Sequence, residues 1–257
     1  MQAIVPLRPA GVEGCVTNML AIEMRCEAAS ETDANRFADL TASYCARTAR
    51  EKGCVRCDFT RSERAPCTFT LLEIYVDESA QTAHQDLPHY NIWRRDALSR
   101  FISGGEGIAE LKRPVVPSEA RGWRYPRGLT EVPLDAGDAR GEAHAPRVLV
   151  LSCYVAGGKS HEFARECAVF SAEALEEPGV ARVDILQTLM DPSSFTVILC
   201  FHHANAEAAL LASKSYVRWA SRVEKLVQDG ALDLGDRRLG LFPRKSHHWD
   251  SYSGICL

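Results

Sequence analysis

The chain has 257 residues, of which 46% are hydrophobic and 25% are charged, and its formal net charge at pH 7 is −4. This composition is typical of a folded globular protein. It excludes a disordered chain and argues against nucleic-acid binding through a strongly basic surface. The apolar runs are shorter than the roughly 18–20 residues that a membrane-spanning helix needs. We therefore expect one or two globular domains, with no nucleic-acid or membrane partner.

The sequence contains ten cysteines, a high number for a chain of this kind. Disulfide scaffolds are typical of short secreted chains, so we expect free, mostly buried thiols and an intracellular, reducing compartment. The cytoplasm fits this expectation, and so does an organelle reached after removal of a transit peptide. Cys54 and Cys57 form a CxxC motif in a strand-like segment, where residues three apart point to opposite faces. The motif therefore predicts neither a redox pair nor a zinc site.

The chain also repeats itself. Residues 37–93 align without a gap onto residues 163–219, at a constant offset of 126 (163 − 37), and 15 of the 57 aligned positions are identical. A gapless match of this length indicates a duplicated domain.

The predicted elements follow the same order in both copies. In the first copy we predict a strand at 19–26, a helix at 32–52, strands at 54–61 and 68–76, a short helix capped by Ser79, a helix at 88–102 and a strand at 111–116. The second copy has counterparts at 148–155, 159–176, 180–186 and 195–202, a short helix capped by Asn205, and elements at 215–228 and 232–241. Gly53 and Gly179 stand where helix C-caps are expected.

The order β-α-β-β-α-β is that of a ferredoxin-like unit. One such unit leaves a sheet face uncovered, and a second unit can cover it. The sequence therefore predicts an α+β fold in which a tandem duplication of a ferredoxin-like (βαββαβ) unit forms an intramolecular dimeric barrel. The predicted organisation is a first domain at 1–116, a linker at 117–146, a second domain at 147–242 and a C-terminal tail at 243–257, in which Trp249 and Tyr252 are expected to clamp across the barrel.

Polar groups distinguish the two copies. Four polar or titratable residues of the first copy have apolar or smaller counterparts in the second: Glu73 with Leu199, Tyr75 with Phe201, His84 with Leu210 and His89 with Ser215. Tyr90 and Trp93 recur as Tyr216 and Trp219. Because a fold needs the shared positions, chemistry is better sought among those that differ.

The segment that carries these residues resembles the antibiotic biosynthesis monooxygenase family, a branch of the dimeric α+β barrel proteins. The family pattern is a strand of the form F-x-L-x-E-x-Y, then A-x-x-x-H-x-x-x-x-H, then an aromatic residue. Both repeats share the resemblance. The matching residues here are Phe69, Leu71, Glu73, Tyr75, Ala80, His84, His89 and Trp93.

The resemblance implies an oxygenase that works without a cofactor on a small quinol or phenol, or a related isomerase. Such an enzyme deprotonates its substrate, so that the substrate anion itself donates an electron to dioxygen, and histidine suits the role of base. The candidate catalytic residues are His84, His89 and Glu73. The candidate substrate-binding residues are Tyr75, Trp93 and Tyr90, and the partners are a small aromatic or quinone-like molecule and dioxygen.

Other interpretations stay open. Trp93 and Tyr90 recur in the copy without the histidines, which favours a core role for both. No metal site is predicted, because adjacent histidines such as His202 and His203 point to opposite faces of a strand. No cofactor is expected, with haem on His84 as the alternative. A non-catalytic small-molecule-binding or assembly subunit is the alternative function, and the pseudo-dimers could assemble further into a homo-oligomer.

Overall fold

The computed structural model describes residues 18–117, 120–125, 146–228, 235–243 and 249. The elements of the first half are β1 Leu20–Glu27, α1 Glu31–Thr48, β2 Cys54–Ser62, β3 Thr68–Tyr75, α2 Glu78–Gln85, α3 Pro88–Trp93, α4 Ser99–Phe101, β4 Ile108–Val116 and α5 Ala120–Trp123. Those of the second half are β5 Arg147–Tyr154, α6 Ser160–Ala174, β6 Val180–Thr188, β7 Ser194–Phe201, α7 Ala204–Ala212, α8 Lys214–Val223 and β8 Asp236–Phe242.

The eight strands form one closed antiparallel barrel in the order β1-β3-β2-β8-β5-β7-β6-β4. The last strand of each half joins the sheet of the other half, because β4 pairs with β6 and β8 pairs with β2. Closure leaves no strand edge exposed for pairing with another chain. The predicted fold class, a duplicated ferredoxin-like unit that forms an intramolecular dimeric α+β barrel, is confirmed.

Three apolar clusters hold the barrel together. One lies between the sheet and the helices of the first half, a second between the sheet and the helices of the second half, and a third inside the barrel. Within the described parts of the chain, no helix is both long enough and apolar enough to cross a membrane.

Both glycines that the sequence suggested as helix caps serve a different purpose. Helix α1 ends well before Gly53, with Ala49 as its C-cap. A Cβ on Gly53 would lie 2.5 Å from the Cβ of Ala80, and one on Gly179 would lie 2.6 Å from the Cβ of Ala206. The glycines therefore allow α2 and α7 to approach the starts of β2 and β6 closely.

The N-caps lie two residues earlier than predicted. Asp77, and not Ser79, caps α2, and His203, and not Asn205, caps α7. In both cases the side chain accepts a hydrogen bond from the backbone three residues further on, which is the usual N-cap geometry. The helix predicted at 88–102 is α-helical over Pro88–Trp93, continues as a wider π-helical turn over Arg94–Leu98 and ends as the short α4.

The prediction that Cys54 and Cys57 point to opposite faces is wrong. The pairing of β2 with β3 shifts register between Cys54 and Arg56, and this bulge turns both thiols into the apolar cluster of the first half. Eight of the ten cysteines lie in the described residues, all of them free and seven of them buried.

The repeat extends into the predicted linker and tail. Trp123 and Trp249 are 126 residues apart (249 − 123), and so are Pro117 and Pro243. Each indole Nε1 donates a 2.8 Å hydrogen bond to the carbonyl oxygen of the proline six residues before it. Both indoles are buried in the barrel interior.

The two tryptophans also cross between the halves. The ring of Trp123 lies 5.0 Å from the guanidinium of Arg182, and the ring of Trp249 lies 5.6 Å from that of Arg56. The segments that contain them thus connect the two halves through the barrel, which agrees with the role predicted for Trp249. Tyr252 lies outside the described residues.

Candidate functional site

The polar residues of the first half converge outside the barrel, beneath α1. Helix α2 begins immediately after β3 and ends with His84 in its last turn, and Pro88 then begins α3, so that His89 lies in its first turn. Glu73 lies near the end of β3. The break between the two short helices lets both imidazoles turn toward the same point.

Glu51 joins the two histidines. Its Oε1 atom lies 2.8 Å from His84 Nδ1 and 2.8 Å from His89 Nε2. The His84 side chain is only 1% exposed, whereas those of His89 and Glu51 are 16% and 15% exposed. One carboxylate therefore orients a buried imidazole and a second one that solvent reaches.

Tyr44 extends this network into the core. Its hydroxyl lies 2.5 Å from Glu73 Oε1 and 2.8 Å from His84 Nε2. The hydroxyl of Tyr75 donates to the other oxygen of Glu73, at 3.2 Å. All four side chains are buried, so the hydrogen bonds replace the hydration that these groups lose on folding.

The hydrogen bonds among Tyr44, Glu73 and His84 allow two arrangements of their protons. The Tyr44 hydroxyl has one hydrogen and can donate to Glu73 or to His84, but not to both. If it donates to Glu73, His84 must donate from Nε2 while its Nδ1 donates to Glu51, so the ring is an imidazolium. If Glu73 is protonated instead, it donates to Tyr44, Tyr44 donates to His84, and the ring is neutral. The two arrangements differ only in the position of one proton.

Burial changes the acidity of the groups along this chain. It raises the pKa of the Glu73 carboxyl, an effect that the nearby charge of His84 opposes. Burial likewise holds the pKa of the Tyr44 phenol well above its ordinary value. For His89, burial lowers the pKa below the ordinary 6.5, against the opposing effect of Glu51. The lowered pKa favours the neutral form of the His89 imidazole at neutral pH.

His89 lines an open cleft between α1 and α3. The cleft encloses about 130 Å³ and opens to solvent. Trp93 forms one wall and stacks on Tyr44 at a ring distance of 4.4 Å. The lining residues are Leu40, Ser43, Tyr44, Arg47, His89, Ile92, Trp93, Asp96 and Ala97.

The structure thus brings the predicted residues together but gives them different positions. His89 and Trp93 line the cleft, whereas His84 and Glu73 lie behind it in the buried network. Tyr75 is fully buried against Glu73. Tyr90 lies outside the cleft lining, with its ring 5.0 Å from that of His84.

Sequence reasoning missed Tyr44 and Glu51. Tyr44 corresponds to Phe170, a change that looks conservative but removes the hydroxyl on which the network depends. A search for every lost hydroxyl, and not only for lost charges, would have found it. Glu51 recurs as Glu177, and a position that both halves share is ordinarily one that the fold needs. No signal in this single sequence distinguishes its role from a structural one.

Three donor atoms of the site form a set that a divalent metal could use in principle. A carboxylate oxygen of Glu51, Nδ1 of His84 and Nε2 of His89 all lie within 4.8 Å of one another. In the present arrangement both ring nitrogens are hydrogen-bonded to the carboxylate. A metal would have to displace the protons of these bonds, because a coordinating imidazole nitrogen must be unprotonated.

The architecture identifies the class of protein. A closed eight-stranded barrel, made of two ferredoxin-like halves with their helices outside, is a dimeric α+β barrel within one chain. Residues 19–96 match the family described as antibiotic biosynthesis monooxygenase, and the first half of the chain therefore carries a domain of this family. The matched segment contains every residue of the network described above.

Solved structures share the fold over most of the chain. A candidate monooxygenase from Lactobacillus acidophilus NCFM is 9% identical, with a TM-score of 0.66 over 86% of this chain and 93% of its own. One from Fusobacterium nucleatum is 11% identical, with a TM-score of 0.65 over 86% and 90%. An anthrone oxidase-like protein is 8% identical, with a TM-score of 0.55 over 88% and 92%. No curated protein sequence matches the chain.

Proposed function

We propose that the chain is a cofactor-independent monooxygenase that acts on a small polycyclic phenol or quinol in the cleft of the first half. The observation that carries the proposal is the environment of His89. This imidazole lines the cleft, and Glu51 fixes its Nε2 atom. Within the described residues, its Nδ1 atom has no hydrogen-bond partner.

His89 is suited to remove the phenolic proton. Its lowered pKa keeps the ring neutral, and the hydrogen bond to Glu51 places the ring proton on Nε2, which leaves the lone pair of Nδ1 free to accept. Once Nδ1 has taken the proton, Glu51 stabilises the imidazolium. This is the base–orienter arrangement of general-base catalysis.

The reaction needs no external reductant. In the keto form of a suitable phenol, a ring CH₂ group lies opposite the carbonyl. Deprotonation gives an electron-rich anion that reacts with dioxygen at this carbon, where one C–O bond forms and the O–O bond then breaks. The CH₂ group becomes a carbonyl and loses four electrons. One oxygen atom enters the product, and the other leaves as water with the two hydrogens.

The buried network contacts His89 through Glu51. Since Glu51 bonds to both histidines, the position of its carboxylate depends on His84, which Tyr44 and Glu73 hold in turn. In this proposal the network acts through hydrogen bonds, and neither haem nor a metal takes part. The buried free thiols support a reducing compartment.

Oxygen uptake with anthrone tests the proposal, because anthrone has the required CH₂ group and its oxygenation to anthraquinone is visible in the absorbance spectrum. We expect uptake by the purified, colourless protein, no change after treatment with a chelator, and loss of activity in His89→Ser. A Soret band, or activity that a chelator abolishes, would contradict the cofactor-free chemistry. If anthrone and a panel of quinols are bound but consume no oxygen, the chain is a binding protein or an isomerase.

A further inference from the structure

The two halves have corresponding clefts, but ion pairs bridge only that of the second half. In the second half the corresponding space encloses only about 10 Å³, and it is lined by Glu166, Val169, Phe170, Glu173, Arg218, Trp219 and Arg222. Arg218 bonds to Glu173 at 2.6 Å, and Arg222 bonds to Glu166 at 3.0 Å. Each pair joins α6 to α8 across the mouth.

At the aligned positions the first half has residues that cannot form these pairs. Leu40 and Asp96 replace Glu166 and Arg222, and Arg47 and Ile92 replace Glu173 and Arg218. Leu40 and Ile92 are 43% and 46% exposed, so two apolar side chains flank the open mouth.

Arg47 is the charged group of the mouth that has no ion pair within the described residues. Asp96, by contrast, bonds to Arg95 at 2.6 Å and lies 3.5 Å from Arg100. Arg47 and His89 line the same cleft. Arg47 is therefore close to the position where the proposed substrate loses its proton.

We infer that the cleft selects planar aromatic anions, whose rings lie between Leu40 and Ile92 and whose charged oxygen is bound by Arg47. This inference rests on the proposed function, because the phenolate that forms when His89 takes the proton is a planar aromatic anion. Arg47 would stabilise this phenolate by a charge-assisted hydrogen bond. The other half has Glu173 at this position, and Arg218 pairs with that carboxylate, so the second cleft offers an anion no unpaired arginine at this place.

Binding without turnover tests this inference. The probe is 2-naphthoate, a planar anion with no phenolic hydroxyl to deprotonate, and its neutral partner is 2-naphthamide. By calorimetry we expect the wild-type chain to bind 2-naphthoate more tightly than 2-naphthamide. Arg47→Gln should weaken 2-naphthoate about tenfold, the effect of one charged hydrogen bond, and leave 2-naphthamide unchanged. Arg36→Gln, which changes an exposed arginine of the same helix outside the cleft, should alter neither affinity.

The second half supplies a further pair of variants. Leu40→Glu with Asp96→Arg, or Arg47→Glu with Ile92→Arg, introduces the ion pairs of the second half, and each double variant should abolish binding of both probes. Circular dichroism checks that the variants fold. The inference is overturned if wild type does not bind 2-naphthoate, if Arg47→Gln weakens both probes equally, or if the double variants still bind. Retained binding without oxygen uptake would contradict the proposed function and leave this inference standing.

Discussion

The two halves of the barrel have the same order of elements. They differ in the side chains that are buried beneath α1 in the first half and beneath α6 in the second. In the first half Trp93 stacks on Tyr44, with a ring distance of 4.4 Å and an interplanar angle of 16°. In the second half Trp219 stacks on Phe170 at 4.4 Å and 15°. The aromatic packing is thus the same with and without the polar network. The network is an addition to the fold, and the fold does not require it.

This comparison separates structural roles from chemical ones. Trp93 has a matched partner in the half without histidines, so its stacking belongs to the core, although its other side lines the cleft. His84, Glu73 and the hydroxyl of Tyr44 have apolar counterparts, and burying them costs desolvation free energy that an apolar core does not. Their presence in one half only therefore indicates that these polar groups have a chemical role there, and not a role in the fold.

The largest expected effect comes from replacing His89, the proposed base, with serine, which is the residue at the corresponding position of the second half. His89→Ser should lower kcat for anthrone oxygenation about 10²–10⁴-fold, the usual contribution of a general base, with little change in KM. Steady-state oxygen uptake measures both constants. An equal fall in the affinity for 2-naphthoate would instead assign His89 to binding.

Replacing the buried network as a whole should stabilise the protein while it abolishes activity. The variant combines Tyr44→Phe, Glu73→Leu, Tyr75→Phe and His84→Leu, the residues of the second half. We expect its free energy of unfolding to be unchanged or about 1–4 kcal/mol higher, because buried polar networks are often no more stable than apolar replacements. His84→Leu alone should instead destabilise by about 1–3 kcal/mol, since it leaves buried partners unpaired. Urea denaturation measures both, and a strongly destabilised fourfold variant would show that the network is structural.

The glycines before β2 and β6 provide a matched pair. Gly53→Ala and Gly179→Ala should each cost about 1–3 kcal/mol, because the new Cβ meets Ala80 or Ala206. Gly179 has φ +86°, so its substitution should be the more costly. Only Gly53→Ala should also lower activity, since it displaces the helix that carries His84. Thermal unfolding and oxygen uptake together test this difference, and equal activity losses in both variants would contradict it.

The smallest effect is a shift in pH dependence. Since burial lowers the pKa of His89 and the base must be neutral, kcat/KM should fall as the pH drops through a value below 6.5. Glu51 opposes this lowering, so in Glu51→Gln the inflection should move to a still lower pH. A pH profile of kcat/KM for both proteins checks this, and an inflection that moves upward would exclude His89 as the base.

The fold was predictable because the same order of strands and helices could be read independently in both copies of the repeat. Two copies of the same element order left few alternatives, and the strand positions agree closely with those observed. The barrel was predicted, but the strands that close it were not: local patterns do not show that β4 pairs with β6 and β8 with β2, because pairing between distant strands leaves no mark on either one. The bulge at Cys54 was hidden for the same reason.

The candidate site was predictable in part. The comparison of the two copies identified four polar residues that the second copy lacks, but it did not show how they are arranged. These residues are His84, His89, Glu73 and Tyr75. The sequence could not show that His89 alone of the two histidines lines the cleft, since this depends on where α2 ends and α3 begins.

The central claim is that the first half oxygenates a bound phenol through His89 without a cofactor. The direct measurement is oxygenation of anthrone under ¹⁸O₂ after removal of metals, with mass analysis of the anthraquinone formed. The account predicts one ¹⁸O atom per product molecule with the wild-type chain, and product formation about 10²–10⁴-fold slower with His89→Ser. Product formation that needs an added metal, or that His89→Ser leaves unchanged, would contradict it.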